Sequence, residues 1–189
     1  MQRPTRGEVR AEFVGIAARR FAEQGFQATS LEDIAHDAGY SKAAVLYHFG
    51  TKDDLLVAVM DWHIEATADL LSTLEQESPG PERTERAIQT LVSFVLDRRP
   101  VSPLALSPAH DVATAMTRHP ELLDRFREMR QRMGAVLVGP EATLAQHVRL
   151  IIAFSGIPAV IIELRDIPAE QLRGPICDVL RDAVNPKEN

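Results

Sequence analysis

Residues 30–49 combine a capping hydroxyl, a lysine, small apolar side chains, a tyrosine and a histidine in twenty positions. Lys42 can donate to a guanine edge or a phosphate, while Ala43 and Leu46 are suited to a thymine methyl. Tyr47 carries a hydroxyl on a rigid ring, suited to a phosphate oxygen. Helix starts expected at Thr29-Ser30 and Thr51-Lys52 would offer free N–H groups to further phosphates. This is the chemistry of reading a duplex. The chain lacks a glycine-rich phosphate loop, a G-x-S-x-G elbow and an H-E-x-x-H pair. His63, His110, His119 and His147 show no metal-ligand spacing. No cofactor, no metal and no catalytic set is expected, and the chain reads as a non-enzyme.

Those side chains need short helices to hold them. Val9, Phe13, Ile16, Ala17 and Phe21 mark one face of a helix over residues 7–24, and Gly25 stands where a left-handed cap belongs. Thr29 and Glu32 have capping-box spacing, opening a helix with Leu31, Ile34, Ala35 and Ala38 inward until Gly39 stops it. Ser41 caps a third helix over residues 42–48, and Gly50 ends it. Ala44, Val45, His48 and Phe49 form its inward side. Two short helices meeting at a tight turn through Tyr40 make a helix-turn-helix, whose second helix enters the major groove. Thr51 opens a fourth helix reaching about Gln76, with Leu55, Leu56, Val59, Trp62, His63, Ala66, Leu70 and Leu74 on its periodic face.

Beyond a break at residues 78–81, helices are expected over 84–98, 109–117, 120–138, 143–164 and 169–183. Three prolines exclude regular helix over residues 99–108. Kinks are expected near residues 156–158 and, as a kink or restart, at Gly174-Pro175. No stretch alternates with period two, so the fold class is all-α.

Composition sets outer limits. With 189 residues, 45% hydrophobic and 25% charged, the chain suits one or two globular domains. The formal charge is −6, and residues 1–55 carry seven Lys or Arg against eight Asp or Glu, so neither the chain nor its first third is a diffuse polycation. Phosphate binding must come from placement, with Arg3 and Arg6 in an N-terminal arm and Lys42 and Lys52 flanking the third helix. Cys177 is the one cysteine, which excludes an internal disulfide and a multi-cysteine zinc site. The first ten residues lack the apolar region of a secretory signal. The apolar run over residues 150–162 is shorter than the ~18 that suggest a membrane span. A soluble, cytoplasmic protein without membrane contact is expected.

The second half offers two candidate surfaces. Trp62, Phe94, His110, Met116, Phe126, Met129, Met133, His147 and Phe154 are candidates for an apolar ligand pocket with a few polar groups. Leu150, Ile151, Phe154, Ile157 and Ile161, with Ile176, Val179 and Leu180 on the last helix, are candidates for a dimer surface. A helix apolar nearly all round must be covered on several sides, by a partner subunit or by the chain's own core.

The segments at residues 17–26, 28–30, 33–35, 38–42, 47–49 and 52–56 jointly resemble the N-terminal domain of TetR-family transcriptional regulators. The resemblance covers residues 6–59. It implies a three-helix DNA-binding domain over residues 7–67, with its helix-turn-helix at 30–49, and a larger helical effector-binding and dimerisation domain over residues 68–185. It implies a homodimeric repressor on a palindromic DNA operator, a small-molecule effector, and a four-helix bundle formed by the last two helices across the dimer axis. Lys42, Ala43 and Leu46 match base-facing positions; Thr29, Ser41, Ala44, Tyr47, His48 and Lys52 match positions that touch or flank phosphates, and Ser30 adjoins them. The chain departs from the family at Leu46, where a DNA-reaching tyrosine is common. The alternative is an all-α small-molecule-binding or enzymatic bundle with a vestigial helix-turn-helix.

Overall fold

Glycines and hydroxyl residues punctuate the N-terminal third, and in the computed structural model, which describes residues 4–98, 115 and 117–185, Thr5, Gly25, Ser30, Ser41, Gly50 and Thr51 bound its helices. α1 (Arg6–Gln24) starts at Thr5 in a reciprocal capping box with Glu8 and ends at Gly25, whose φ is 87°. α2 (Leu31–Asp37) starts at Ser30, which is boxed with Asp33, one residue later than the expected Thr29–Glu32 pairing. The Thr29 hydroxyl donates backward instead, to Gly25 O at 2.9 Å and Arg20 O at 3.3 Å. α3 (Lys42–Phe49) is capped by Ser41 and ends at Gly50, whose φ is 77°. α4 (Lys52–Glu75) starts at Thr51, boxed with Asp54.

Phe13 organises this first unit. It is fully buried, with the rings of Tyr40, His48 and Phe49 at 5.3, 5.6 and 6.3 Å from its own in edge-on geometry. Tyr40 comes from the turn and the other two from α3, so one aromatic side chain of α1 fixes the angle of the helix-turn-helix. Arg20 and Asp37 add a two-pronged ion pair, at 2.6 and 2.7 Å, between α1 and the end of α2. It holds the Asp37 carboxyl below the usual carboxylate range.

Four more helices follow: α5 (Pro81–Asp97), α6 (Pro120–Val138), α7 (Leu144–Glu163) and α8 (Ala169–Val184). α5 begins three residues before the expected start, because Pro81 occupies its first turn, where no N–H is needed. α8 runs through Pro175 without restarting. The expected loop over residues 99–108 and most of the expected helix over 109–117 lie outside the described residues. The all-α class holds among those described.

α4 crosses the boundary expected at residues 67 and 68 unbroken. It packs on α1 and α3, and on α6. α5 lies against α8 and α6, and α8 against α7. The buried face of α4 turns further than expected: Met60, Ile64, Thr67 and Leu71 are buried, while Trp62, Ala66 and Leu70 are half-buried. Two arginines of α6 and Arg118, just before it, tie this segment to α4. Arg118 pairs with Asp53 at 2.8 Å, Arg125 with Asp61 and Glu65, and Arg132 with Glu75 at 2.7 Å and Ser72 at 2.9 Å.

Candidate nucleic-acid interface

α3 has two sides of opposite character. Val45 and Phe49 are buried, Ala44 and His48 are half-buried, and Ser41, Lys42, Ala43, Leu46 and Tyr47 are exposed. Positions 42, 43, 46 and 47 share a face at helical spacing, so the expected base-reading residues form one outward stripe. Tyr47 is 69% exposed and Leu46 39%, large values for such side chains in a folded unit. Lys42 is held in reserve by Glu32 at 2.8 Å, an exposed pair worth little and readily exchanged for a phosphate or a guanine edge.

Two cations of α1 reach α3, one at the stripe and one at the end of its inner side. The Arg6 guanidinium lies 5.1 Å from the centre of the Tyr47 ring, and that of Arg10 lies 4.7 Å from Phe49. Arg6 is thus a helical residue beside the stripe and not part of a free arm, while Arg3 lies outside the described residues. Arg10 was missed from sequence. Its α1 periodicity shows it pointing outward, but only the fold shows that α3 lies there. These cations bring local positive charge to a unit whose formal charge is negative. Burial, with the charges of Arg6 and Arg10, holds the His48 imidazole below its usual pKa.

Other expected contacts turn inward. Thr29 is buried at 1% exposure, and its hydroxyl serves the loop before α2. Lys52 donates to Phe26 O at 2.9 Å and Thr29 O at 3.0 Å, with its ammonium 4.4 Å from the Phe26 ring centre. Its charge caps the carbonyls between α1 and α2 and ties them to the start of α4. Ser30 and Ser41 spend their side chains on caps.

The expected pocket residues do not gather into one pocket. Met133, His147 and Phe154 line an open cleft of about 220 Å³ between α6 and α7, with Arg130, Gln131, Gly134, Leu150 and Ile151. Trp62 and Phe94 sit elsewhere, around Arg98. Phe126 lies beside Arg130 and Met129 is buried in the core. His110 and Met116 lie outside the described residues.

The expected dimer residues require a correction of phase. Leu150, Phe154, Ile157, Ile161, Ile176 and Leu180 are all buried within the single chain. Of that set only Ile151 and Val179 are exposed. The outward apolar face of α7 is instead Leu144, Val148, Ile151, Ile152 and Ile162. α7 has 20 residues and a mean hydropathy of 1.6, so by length and composition it is long enough to cross a membrane. Its inner edge, however, is packed against α5 and α8, where Phe154 and Ile157 meet Leu91, Val95, Ile176 and Leu180.

Residues 16–59 match the family described as bacterial regulatory proteins, tetR family. An HTH-type transcriptional repressor of Mycobacterium tuberculosis, Rv3405c, is 39% identical over 103 residues, 52% of this chain and 53% of the relative. The chain thus spans about half the length of that curated relative. Among solved structures, a TetR transcription regulator from Haloarcula marismortui superposes with a TM-score of 0.69 at 22% identity, covering 95% of this chain and 97% of that one. The TetR-family regulator PfmR from Thermus thermophilus gives 0.67 at 19% identity, covering 99% and 100%. The fold is that of TetR-family regulators, and the N-terminal similarity falls on the helices that build the α3 stripe.

Proposed function

We propose that this chain, whose N-terminal module is that of the tetR family of bacterial regulators, is a homodimeric DNA-binding transcriptional repressor released by a small-molecule effector. The observation that carries the reading is the stripe of Lys42, Ala43, Leu46 and Tyr47, outward on a helix clamped from behind by Phe13. Lys42 and Leu46 read base edges, while Tyr47, Arg6 and Arg10 hold phosphates and set the register. The repressor Rv3405c is 39% identical over the matched residues against 27% for the activator FasR, which supports repression over activation.

Two copies are needed because one stripe spans only a half-site. The outward face of α7, with Val179 of α8, is the apolar surface such a pair would bury. Joined there, two recognition helices about 34–36 Å apart would enter successive major grooves of a palindrome. The effector acts by favouring a dimer with a different spacing, and it must bind that state more tightly to shift the balance. α4 carries the change, since it contacts both the recognition helix and α6.

The test is selection of DNA from a random pool by the purified protein, followed by gel shifts on the enriched sequence. A two-fold symmetric site is expected. Tyr47→Ala and Lys42→Ala should each weaken binding by about 5–100-fold. Failure to enrich any sequence, or full affinity in both variants, overturns the reading.

A further inference from the structure

Four side-chain nitrogens among the described residues are buried without a hydrogen-bond partner: His48 Nδ1, His63 Nδ1, Arg83 Nε and Arg98 Nη1. Native proteins leave few such groups, and each asks for an explanation. Arg83 still donates through Nη2 to Val136 O at 3.4 Å, and His48 belongs to the DNA-facing helix. The remaining two meet in one cluster between α4 and the end of α5.

His63 is 2% exposed, and its ring lies 6.0 Å from that of Phe94. The Arg98 guanidinium lies 4.3 Å from the Phe94 ring centre and 5.2 Å from that of Trp62. The aromatic faces hold the cation in place but accept no hydrogen bond from Nη1. The adjacent Asp97 turns toward Arg173, 3.8 Å away, and no ion pair among the described residues takes in Arg98. Thr67, the next buried polar residue along α4, spends its hydroxyl on His63 O at 2.9 Å. Burial and the Arg98 charge lower the His63 pKa to about 4, so the imidazole is neutral near pH 7. The cluster therefore holds one fixed positive charge, an Arg98 N–H without an acceptor and an unpartnered His63 ring nitrogen that is a donor in its Nδ1–H tautomer, walled by two aromatic rings.

We infer that Arg98 and His63 form the head-group end of the effector site and take the carboxylate of an organic acid whose apolar body lies along Trp62 and Phe94. A carboxylate supplies one negative charge and two oxygens, one for Arg98 Nη1 and one for His63 Nδ1–H. A phosphate dianion would leave a charge uncompensated here. The inference rests on the regulator reading above, since it names what would act on α4: Trp62 and His63 both belong to that helix, whose first turns pack on the recognition unit. Phe94 and Arg98 belong to α5 and its cap, so an occupant ties the two helices together.

Trp62 is the only tryptophan in the chain, so its fluorescence reports on this cluster alone. The experiment titrates the full-length protein with decanoate and with benzoate, each against its own amide, following Trp62 emission and melting temperature. At least one carboxylate should bind about tenfold or more tightly than its amide. In Arg98→Gln that ratio should fall to about one, and Arg98→Lys, which keeps the charge but not the fork, should retain part of it. Melting curves of both variants establish that they fold. Carboxylates no better than their amides, or a preference that survives Arg98→Gln, overturn the site. Operator binding is measured in parallel. Arg98-dependent binding that leaves DNA affinity unchanged keeps the carboxylate site and overturns the effector reading.

Discussion

The outward faces of α3 and α7 are both exposed and both unpaired in one copy of the chain, yet they are built in opposite ways. α3 presents a cation, a phenol and small apolar groups, and its back is locked by the Phe13 cluster. α7 presents Leu144, Val148, Ile151, Ile152 and Ile162, a larger apolar area with the exposed Arg149 and Ser155 beside it. A face rich in polar groups is stable in water and waits for a polyanion; a mostly apolar one pays a solvent cost until it is covered. The first unit is therefore complete by itself, while the second is finished only by association.

The contrast can be broken or sharpened by substitution. The largest effect is expected from Phe13→Ala, which removes the shared ring behind α3 and should cost about 3–5 kcal/mol in urea unfolding. A smaller loss would mean that the recognition helix is held by its caps and not by the aromatic cluster. Next, Ile151→Glu with Ile152→Glu should turn the dimer into monomers in sedimentation and weaken operator binding by roughly 100-fold or more, with a melting temperature close to wild type. If the doubly charged protein stays dimeric, the α7 face is not the interface.

Acid should separate the halves by another route. His63 has a folded pKa of about 4 against 6.5 when exposed, so between these values the unfolded chain binds more protons. Stability is therefore fully present above pH 6.5 and is lost as pH falls toward 4, by roughly 3 kcal/mol in total. Unfolding followed at several pH values should show this slope, and His63→Phe should flatten it. The smallest effects distinguish two lysines. Lys42→Ala should relax base preference at one operator position, by about 1–3 kcal/mol of discrimination, while leaving stability within ~0.5 kcal/mol. Lys52→Ala should do the reverse, costing about 1–2 kcal/mol of stability through lost carbonyl contacts and leaving base preference unchanged.

The same contrast explains what was legible in the sequence. α1 to α4 were readable because every start carries a capping hydroxyl and two of the ends carry a glycine, as at Ser41, Thr51, Gly25 and Gly50. The alternation of buried and exposed residues on α3 was legible because Val45 and Phe49 contrast with Lys42 and Tyr47. α7 offered no such contrast. Leu150, Ile151 and Ile152 are chemically alike and adjacent, so nothing local says that the first is buried and the next two are not. Phase on an all-apolar helix is set by what packs against it, which here is α5 and α8. Lys52 failed for a related reason. The carbonyls of Phe26 and Thr29 that engage it are more than twenty residues away, and backbone acceptors leave no trace in residue type. Arg10 joined the interface only once the fold brought α1 beside α3.

The arginines linking α4 and α6 have a mechanical consequence. Arg125 and Arg132 are seven residues apart on α6, two helical turns, Arg118 stands just before its first turn, and the partners of all three climb α4 in the same direction. Sliding one helix along the other by a single turn would strand three guanidinia at once, whereas a small tilt of the pair about a common axis keeps every rung attached. The two rods therefore behave as a stiff beam, and what reaches the recognition helix from the far end is a swing and not a piston stroke.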